Sequence, residues 1–198
     1  MSTQIILAPA VPADQLRPHD TLLGDTLRRQ VRERPDAVAF ETATRSWTFR
    51  EADADANRIA QGLSSLGVGH GDRVAGLTRH GAESALLMVG ASRIGAVCAA
   101  LNWRLAPPEV AHVLNDSQAR LLLVDREFLP AIDGKDFPAL QLTLLTDGDD
   151  DQRPSLSGWS QPFDAVDPKR DGGPEDTGLQ LYSSGTTGLP MGIGLSSR

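Results

Sequence analysis

Residues 121–124 read Leu-Leu-Leu-Val, bounded by Arg120 and Asp125. So short and uniformly apolar a run suits a strand covered on both faces better than a helix with one wet side. Comparable runs recur at 73–78, 96–101 and 142–146, and segments of helical period stand between them. Leu22, Leu23, Leu27 and Val31 mark a first helix that stops at Pro35, and 38–40 and 46–47 read as short strands. Thr48 and Glu51 form a capping box ahead of a stripe of Ala52, Ala56, Ile59, Ala60, Leu63 and Leu66, and Gly67 stands where a left-handed residue would end that helix. The segment 83–94 is almost wholly apolar, as a helix covered on several sides would be, and Gly95 ends it. Pro107 and Pro108 open a shorter helix over 109–114, where proline in the first turn costs no hydrogen bond. The expected fold is α/β, a sheet layered with helices on both faces.

Two stretches fall outside this alternation. Residues 1–20 carry prolines and little periodicity, and read as a surface leader. Residues 147–178 are dominated by Asp, Gly, Pro and Ser, with Trp159, Phe163 and Val166 as isolated anchors, and read as a long irregular connection. Its length counts against the chain being a complete compact domain. A strand over 179–182 follows it.

Composition removes several function classes. The net charge of −7 argues against a basic nucleic-acid or membrane-surface protein. Cys98 is the single cysteine, which rules out an internal disulfide and a cysteine metal cluster. His19, His70, His80 and His112 show no ligand spacing, so no metal ligands are assigned. No Ser/His/Asp set can be assembled, so no catalytic residue is assigned. Without a secretory signal or a long apolar span, the expected setting is cytoplasmic, without stable membrane insertion. Asp53 and Asp55 read as favouring the positive end of their helix, and Asp149-Asp150-Asp151 as a solvated turn. Trp103 and Arg104 follow a strand end, where packing and a part in shaping a ligand site are both open.

The strand at 179–182 runs into Ser183-Ser184-Gly185-Thr186-Thr187-Gly188-Leu189-Pro190-Met191-Gly192. Glycines at 185, 188 and 192 let a ligand approach the backbone closely. Hydroxyls at 183, 184, 186 and 187 stand beside backbone N–H groups, a supply of short neutral donors suited to phosphate oxygens. An ordinary polar turn has similar composition, and both readings stay open on residue types alone. The loop lacks the Gly-Lys-Ser/Thr end of a Walker motif, and no G-x-G-x-x-G follows an earlier strand.

From Tyr182 to Gly192 the sequence closely resembles the signature of the adenylate-forming superfamily, an aromatic residue followed by Thr/Ser-Ser-Gly-Thr/Ser-Thr-Gly-x-Pro-Lys-Gly. Every specified position matches except the lysine, which is Met191 here. Trp47-Thr48-Phe49-Arg50-Glu51 with Asn57-Arg58-Ile59-Ala60, Gly71-Asp72-Arg73-Val74-Ala75, and Gly95-Ala96-Val97 with Leu101-Asn102 and Arg104-Leu105 are similar to further segments of acyl-CoA synthetases. The resemblance covers about residues 20–198 and is weakest over 147–178.

It implies an incomplete N-terminal adenylation domain over 21–198, without the rest of that domain or the small C-terminal domain. It also implies ATP-dependent activation of a fatty or aromatic carboxylic acid to an acyl-adenylate, followed by thioesterification to CoA. Ser183, Ser184, Gly185, Thr186, Thr187, Gly188 and Gly192 would bind ATP, with Mg2+ among the phosphates. The 198-residue chain is expected to be inactive alone and to self-associate through the sheet edge it exposes. Ser197 stands where the family has histidine; Met191, where the family has lysine, and the early end of the chain favour an alternative: a non-catalytic truncated or degenerate paralogue with weak nucleotide binding or a partner-binding role. A plain flavodoxin-like binding module would require the loop match to be chance.

Overall fold

A computed structural model describes residues 23–79, 81–168, 173, 175–184 and 189–196. The expected leader, Leu22, His80, Ser197 and four of the seven candidate site residues (185–188) lie outside the described residues. The elements run α1 (Leu23–Glu33), β1 (Val38–Glu41), β2 (Ser46–Thr48), α2 (Phe49–Ser65), β3 (Arg73–Leu77), α3 (Ala82–Ser92) and β4 (Val97–Ala100). Then follow α4 (Pro107–Ser117), β5 (Leu121–Val124), a 3-10 turn (Arg126–Ala131), β6 (Leu142–Leu145), α5 (Leu156–Ser160), β7 (Thr177–Ser184) and β8 (Pro190–Ser196). β1 and β2 form a small antiparallel hairpin, and the main sheet has the order β6-β5-β3-β4-β7-β8. All its pairings are parallel except β7 with β8.

The strand order explains why helices cover both faces. Right-handed crossovers place a connection on one face when the chain steps one way along the sheet, and on the other when it steps back. β3 to β4 steps one way, and α3 joins one core with Val74, Cys98, Leu121 and Leu123. β4 to β5 steps back across β3, and α4 joins the opposite core with Ala75, Leu77, Ala99, Leu122 and Val124. β5 therefore feeds both cores from alternate residues, which is why its four residues are all aliphatic and all buried. The expected α/β class with both faces covered is what the chain forms.

Local signals act where the sequence places them. Thr48 Oγ1 accepts from the Glu51 N–H at 3.2 Å while Glu51 Oε2 accepts from the Thr48 N–H at 2.8 Å. Gly67 and Gly95 take φ of 74° and 72°, and their left-handed backbone releases each helix into the next strand. Cys98 is buried, and desolvation pushes its thiol up to about 12, so it is a core residue and a poor nucleophile.

Three findings differ from the sequence reading. β8 was not anticipated, although 191–195 alternates Met, Gly, Ile, Gly, Leu with strand period. Asp53 and Asp55 do more than complement a helix end. Asp53 Oδ1 and its backbone carbonyl accept from the guanidinium of Arg93, whose side chain is fully buried, and Asn57 Oδ1 accepts from it too. Asp55 holds Trp47 Nε1 at 3.1 Å and Arg45 at 3.1 Å.

The third difference is in the connection, whose described part is strapped to the body. Leu156 of α5 enters the core, while Trp159 and Phe163 meet edge to face at 5.5 Å and lie over Gly62. Asn57 Nδ2 donates to Ala165 O at 3.1 Å, Gln61 Nε2 to Val166 O at 2.8 Å, and Arg28 grips Asp167 with two hydrogen bonds of 2.6 Å. Val166 is an anchor through its carbonyl alone, since the residue is 62% exposed. Among the described residues no helix is long and apolar enough to cross a membrane.

Candidate functional site at the carboxyl edge of the sheet

β7 lies beside β4, pairing Leu179 with Cys98 and Leu181 with Ala100, where β4 ends. It continues through Tyr182, Ser183 and Ser184 past the carboxyl end of its neighbour. In open α/β sheets that edge is where ligands collect. The chain returns as β8, with Ser184 opposite Pro190, Ser183 opposite Met191 and Tyr182 opposite Gly192. Strand ends thus bracket the Gly/Thr segment at the carboxyl edge, while Gly185, Thr186, Thr187 and Gly188 themselves are not among the described residues.

Three candidate residues are described. Ser183 is exposed on the face shared with Leu181 and Met191. Ser184 closes β7 as the partner of Pro190. Gly192 sits within β8, opposite Tyr182. A Cβ there would meet Gln180 Nε2 at 2.5 Å and the Tyr182 ring at 3.2 Å. The missing side chain makes room for Tyr182 and Gln180 to lie across the strand, a packing role within the hairpin.

Those side chains lead to α4. Gln180 Nε2 donates to the Tyr182 hydroxyl at 2.9 Å, and that hydroxyl donates to Asp116 Oδ2 at 2.7 Å. Burial, and then the bond to Asp116, push the Tyr182 phenol up, so it stays a neutral donor. One helical turn before Asp116, His112 Nε2 lies 3.0 Å from Pro190 O. A carbonyl can only accept, so the proton is on Nε2. Both arms of the hairpin are therefore held from one helix face. His112 and Asp116 were not read as contributors from sequence; their i, i+4 spacing was the available signal.

The described hairpin carries no Lys, Arg, Asp or Glu, and Met191 is 57% exposed beside Ser183. The described hairpin residues themselves could meet an anion only through N–H and hydroxyl groups. Trp103 and the 149–150 turn have other work. Trp103 carries the guanidiniums of Arg79 at 4.5 Å and Arg104 at 4.0 Å over its ring, and stacks on Phe128. Asp149 Oδ1 accepts from Ser155 N at 2.7 Å, and Asp150 Oδ1 from Gln152 N and Arg153 N at 2.8 and 2.6 Å, as turn caps. Among the described residues no group of three or more His, Cys, Asp or Glu is placed to hold a metal.

This arrangement recurs in known proteins. Residues 27–198 match the AMP-binding enzyme family. The chain is 36% identical over 188 residues to a 3-hydroxybenzoate/4-hydroxybenzoate–CoA ligase of Thauera aromatica, covering 92% of this chain and 35% of that protein. It is 35% identical over 177 residues to the fatty acid–[acyl-carrier-protein] ligase ScoC of Streptomyces coeruleorubidus, covering 89% and 33%. Its fold superposes on the anthranilate CoA ligase AuaEII in complex with anthranoyl-AMP with a TM-score of 0.84 at 32% identity, over 94% of this chain and 36% of that one. A fatty acyl CoA synthetase of Mycobacterium tuberculosis gives 0.79 at 29%, over 91% and 36%. The chain thus spans about a third of the length of these relatives. Family match, sequence identity and superposition agree that it belongs to the AMP-binding enzyme family, the adenylate-forming acyl- and aryl-CoA ligases, and corresponds to part of their N-terminal domain.

Proposed function

We propose that residues 183–188 grip the β- and γ-phosphates of ATP, within a protein that activates a carboxylic acid as its acyl-adenylate and passes the acyl group to coenzyme A. The observation that carries this reading is the bracketing of the Gly/Thr segment by strand ends at the carboxyl edge of a parallel sheet. The chemical task is to bring two anions together while charge builds on the departing pyrophosphate. Donors fixed in advance around that charge lower the barrier without reorganising as it forms. The hydroxyls of Ser184, Thr186 and Thr187 and the amides of Gly185 and Gly188 supply such donors, with Ser183 lining the same edge. Gly192 contributes indirectly, by letting Tyr182 and Gln180 cross β8 toward α4. The relatives act on benzoates and fatty acids by name, so an aromatic or fatty acid is the substrate class. A cytoplasmic setting goes with this chemistry. Mg2+ accompanies ATP, but the described residues provide no carboxylate on the hairpin to hold it, and no step is assigned to it.

Met191 and the uncharged hairpin support a second reading, a paralogue that binds nucleotide weakly without turnover. Titration calorimetry of the 198-residue chain with MgATP, against AMP, tests the triphosphate grip. ATP should bind more tightly than AMP, and Thr186→Val with Thr187→Val should remove the difference. Met191→Lys should tighten ATP about tenfold, or about 1.4 kcal/mol, as a charge-assisted contact to phosphate would. Equal binding of ATP and AMP, unmoved by either change, overturns the assignment. The 198-residue chain should show no carboxylate-dependent ATP–pyrophosphate exchange, and exchange by that polypeptide would overturn the expectation that it is inactive alone.

Self-association belongs to the same reading. β8 is an edge strand presenting Met191, Ile193 and Leu195 on one face beside Leu181, each at least 40% exposed. An apolar edge with open backbone groups is a template for a second chain. Sedimentation should show a concentration-dependent dimer that Ile193→Lys disperses, and a strict monomer at all concentrations would refute it.

A further inference from the structure

A second concavity lies away from the β7–β8 hairpin. It opens where the β1–β2 hairpin, the start of α3 and residues 146–161 meet, with a volume of about 380 Å³, and shares no residue with 183–192. That is the size of a small-molecule pocket. Ile59, Leu86 and Leu156 supply apolar wall, with Trp47 at one side.

Its charged groups are unevenly committed. Asp55 is spent on three donors: Arg45 Nη2 at 3.1 Å, Arg58 Nη1 at 3.2 Å and Trp47 Nε1 at 3.1 Å. The Arg45 guanidinium also covers the Trp47 ring at 4.1 Å. Both cations of the pocket are thus engaged with one carboxylate. Glu83, on the first turn of α3, lines the same space; its carboxyl is hydrogen-bonded by its own backbone N–H and feels the Arg45 guanidinium only through the field, without a direct ion pair. Asp147 stands at the rim, 76% exposed and 3.6 Å from Arg126 Nε, a guanidinium outside the lining that offsets its charge. Two guanidiniums and three carboxylates leave the lining with an excess of one negative charge.

We propose that this pocket binds a small organic ammonium ion, a primary amine on an aromatic or short aliphatic group, with the ammonium on Glu83 and the apolar part against Ile59, Leu86 and Leu156. An organic anion would face Glu83 while Arg45 and Arg58 are already paired with Asp55. A bare metal ion would find one inward carboxylate. An ammonium offers three donors to a carboxylate that has few. Burial already holds the Glu83 carboxyl above its usual range, and a cation beside it offsets that desolvation.

The test uses 2-phenylethylamine, with 3-phenylpropionate as a probe of like size and opposite charge, followed by amide NMR shifts on the 198-residue chain. The amine should give saturable shifts at 42–47, 83–86 and 146–161, bind at least about tenfold more tightly than the propionate, and lose about tenfold in Glu83→Gln. Ser157→Trp, at an exposed position of the lining, should block the pocket without altering Glu83, and decides the matter if Glu83→Gln fails to fold. Added ATP should leave the amine shifts unchanged, which keeps this outcome separate from that of the phosphate loop. No saturable shift at millimolar amine, equal binding of the two probes, or full binding by the Ser157→Trp chain overturns the proposal.

Discussion

Arg93→Leu is expected to lower stability by about 3–5 kcal/mol, measured as a shift in urea midpoint at unchanged slope. The Arg93 side chain has no exposure, while Asp53 keeps 21%. Its guanidinium joins the end of α3 to the first turns of α2 through Asp53 Oδ1, the Asp53 carbonyl and Asn57 Oδ1. Leucine fills part of the space but leaves Asp53 facing it without a cation and Asn57 Oδ1 without its donor. Removing one partner of a buried pair strands the other, whereas removing both can be nearly neutral. The double change Arg93→Leu with Asp53→Leu should therefore recover a large part of the loss. A single-variant cost below about 1 kcal/mol would show the pair to be a surface-like contact.

Gly90→Leu should cost about 3 kcal/mol, at the upper end of overpacking. Gly90 lies on α3 where it crosses α2. A Cβ at that position would meet Ile59 Cγ2 at 2.7 Å, Ile59 Cβ at 3.0 Å and the Ala56 carbonyl oxygen at 3.0 Å. The carbonyl belongs to helix backbone and cannot rotate away, so the helices must part. Helix propensity favours leucine over glycine by somewhat under 1 kcal/mol, too little to compensate. Gly62→Leu is the useful contrast. Its obstacles are the Trp159 and Phe163 rings, side chains on a five-residue helix and its turn that can be displaced. The Gly62 variant should loosen the 147–168 connection and lose less stability than the Gly90 variant. Hydrogen exchange would separate the two, since opening confined to α5 and its flanks is the outcome expected at Gly62 alone. Equal costs would contradict the argument.

Much of the site's address was readable before any coordinates. The apolar run before them sets Ser183 and Ser184 at a strand end, while composition alone leaves 185–188 between a polar turn and a phosphate loop and only the family resemblance favours the second. The hairpin around that segment is not legible in the sequence, because glycines at 192 and 194 weaken strand propensity. Gly192 was read as a point of ligand approach. Its neighbours show that Tyr182 and Gln180 use the space.

What the chain determines by itself is local. Thr48 and Glu51 cap α2, Gly67 and Gly95 turn left-handed where their helices end, and the aliphatic run at 121–124 makes a strand wet on neither face. These depend on backbone sterics and on neighbours within a turn or two, which spacing records directly. Which distant groups meet was decided by packing alone. Arg93 meets Asp53 across 40 residues, Tyr182 meets Asp116 across 66, and Arg28 meets Asp167 across 139. Such partnerships depend on which face each helix takes over the sheet and how closely Gly90 lets α3 approach α2, and side-chain periodicity along one element carries no record of what crosses it.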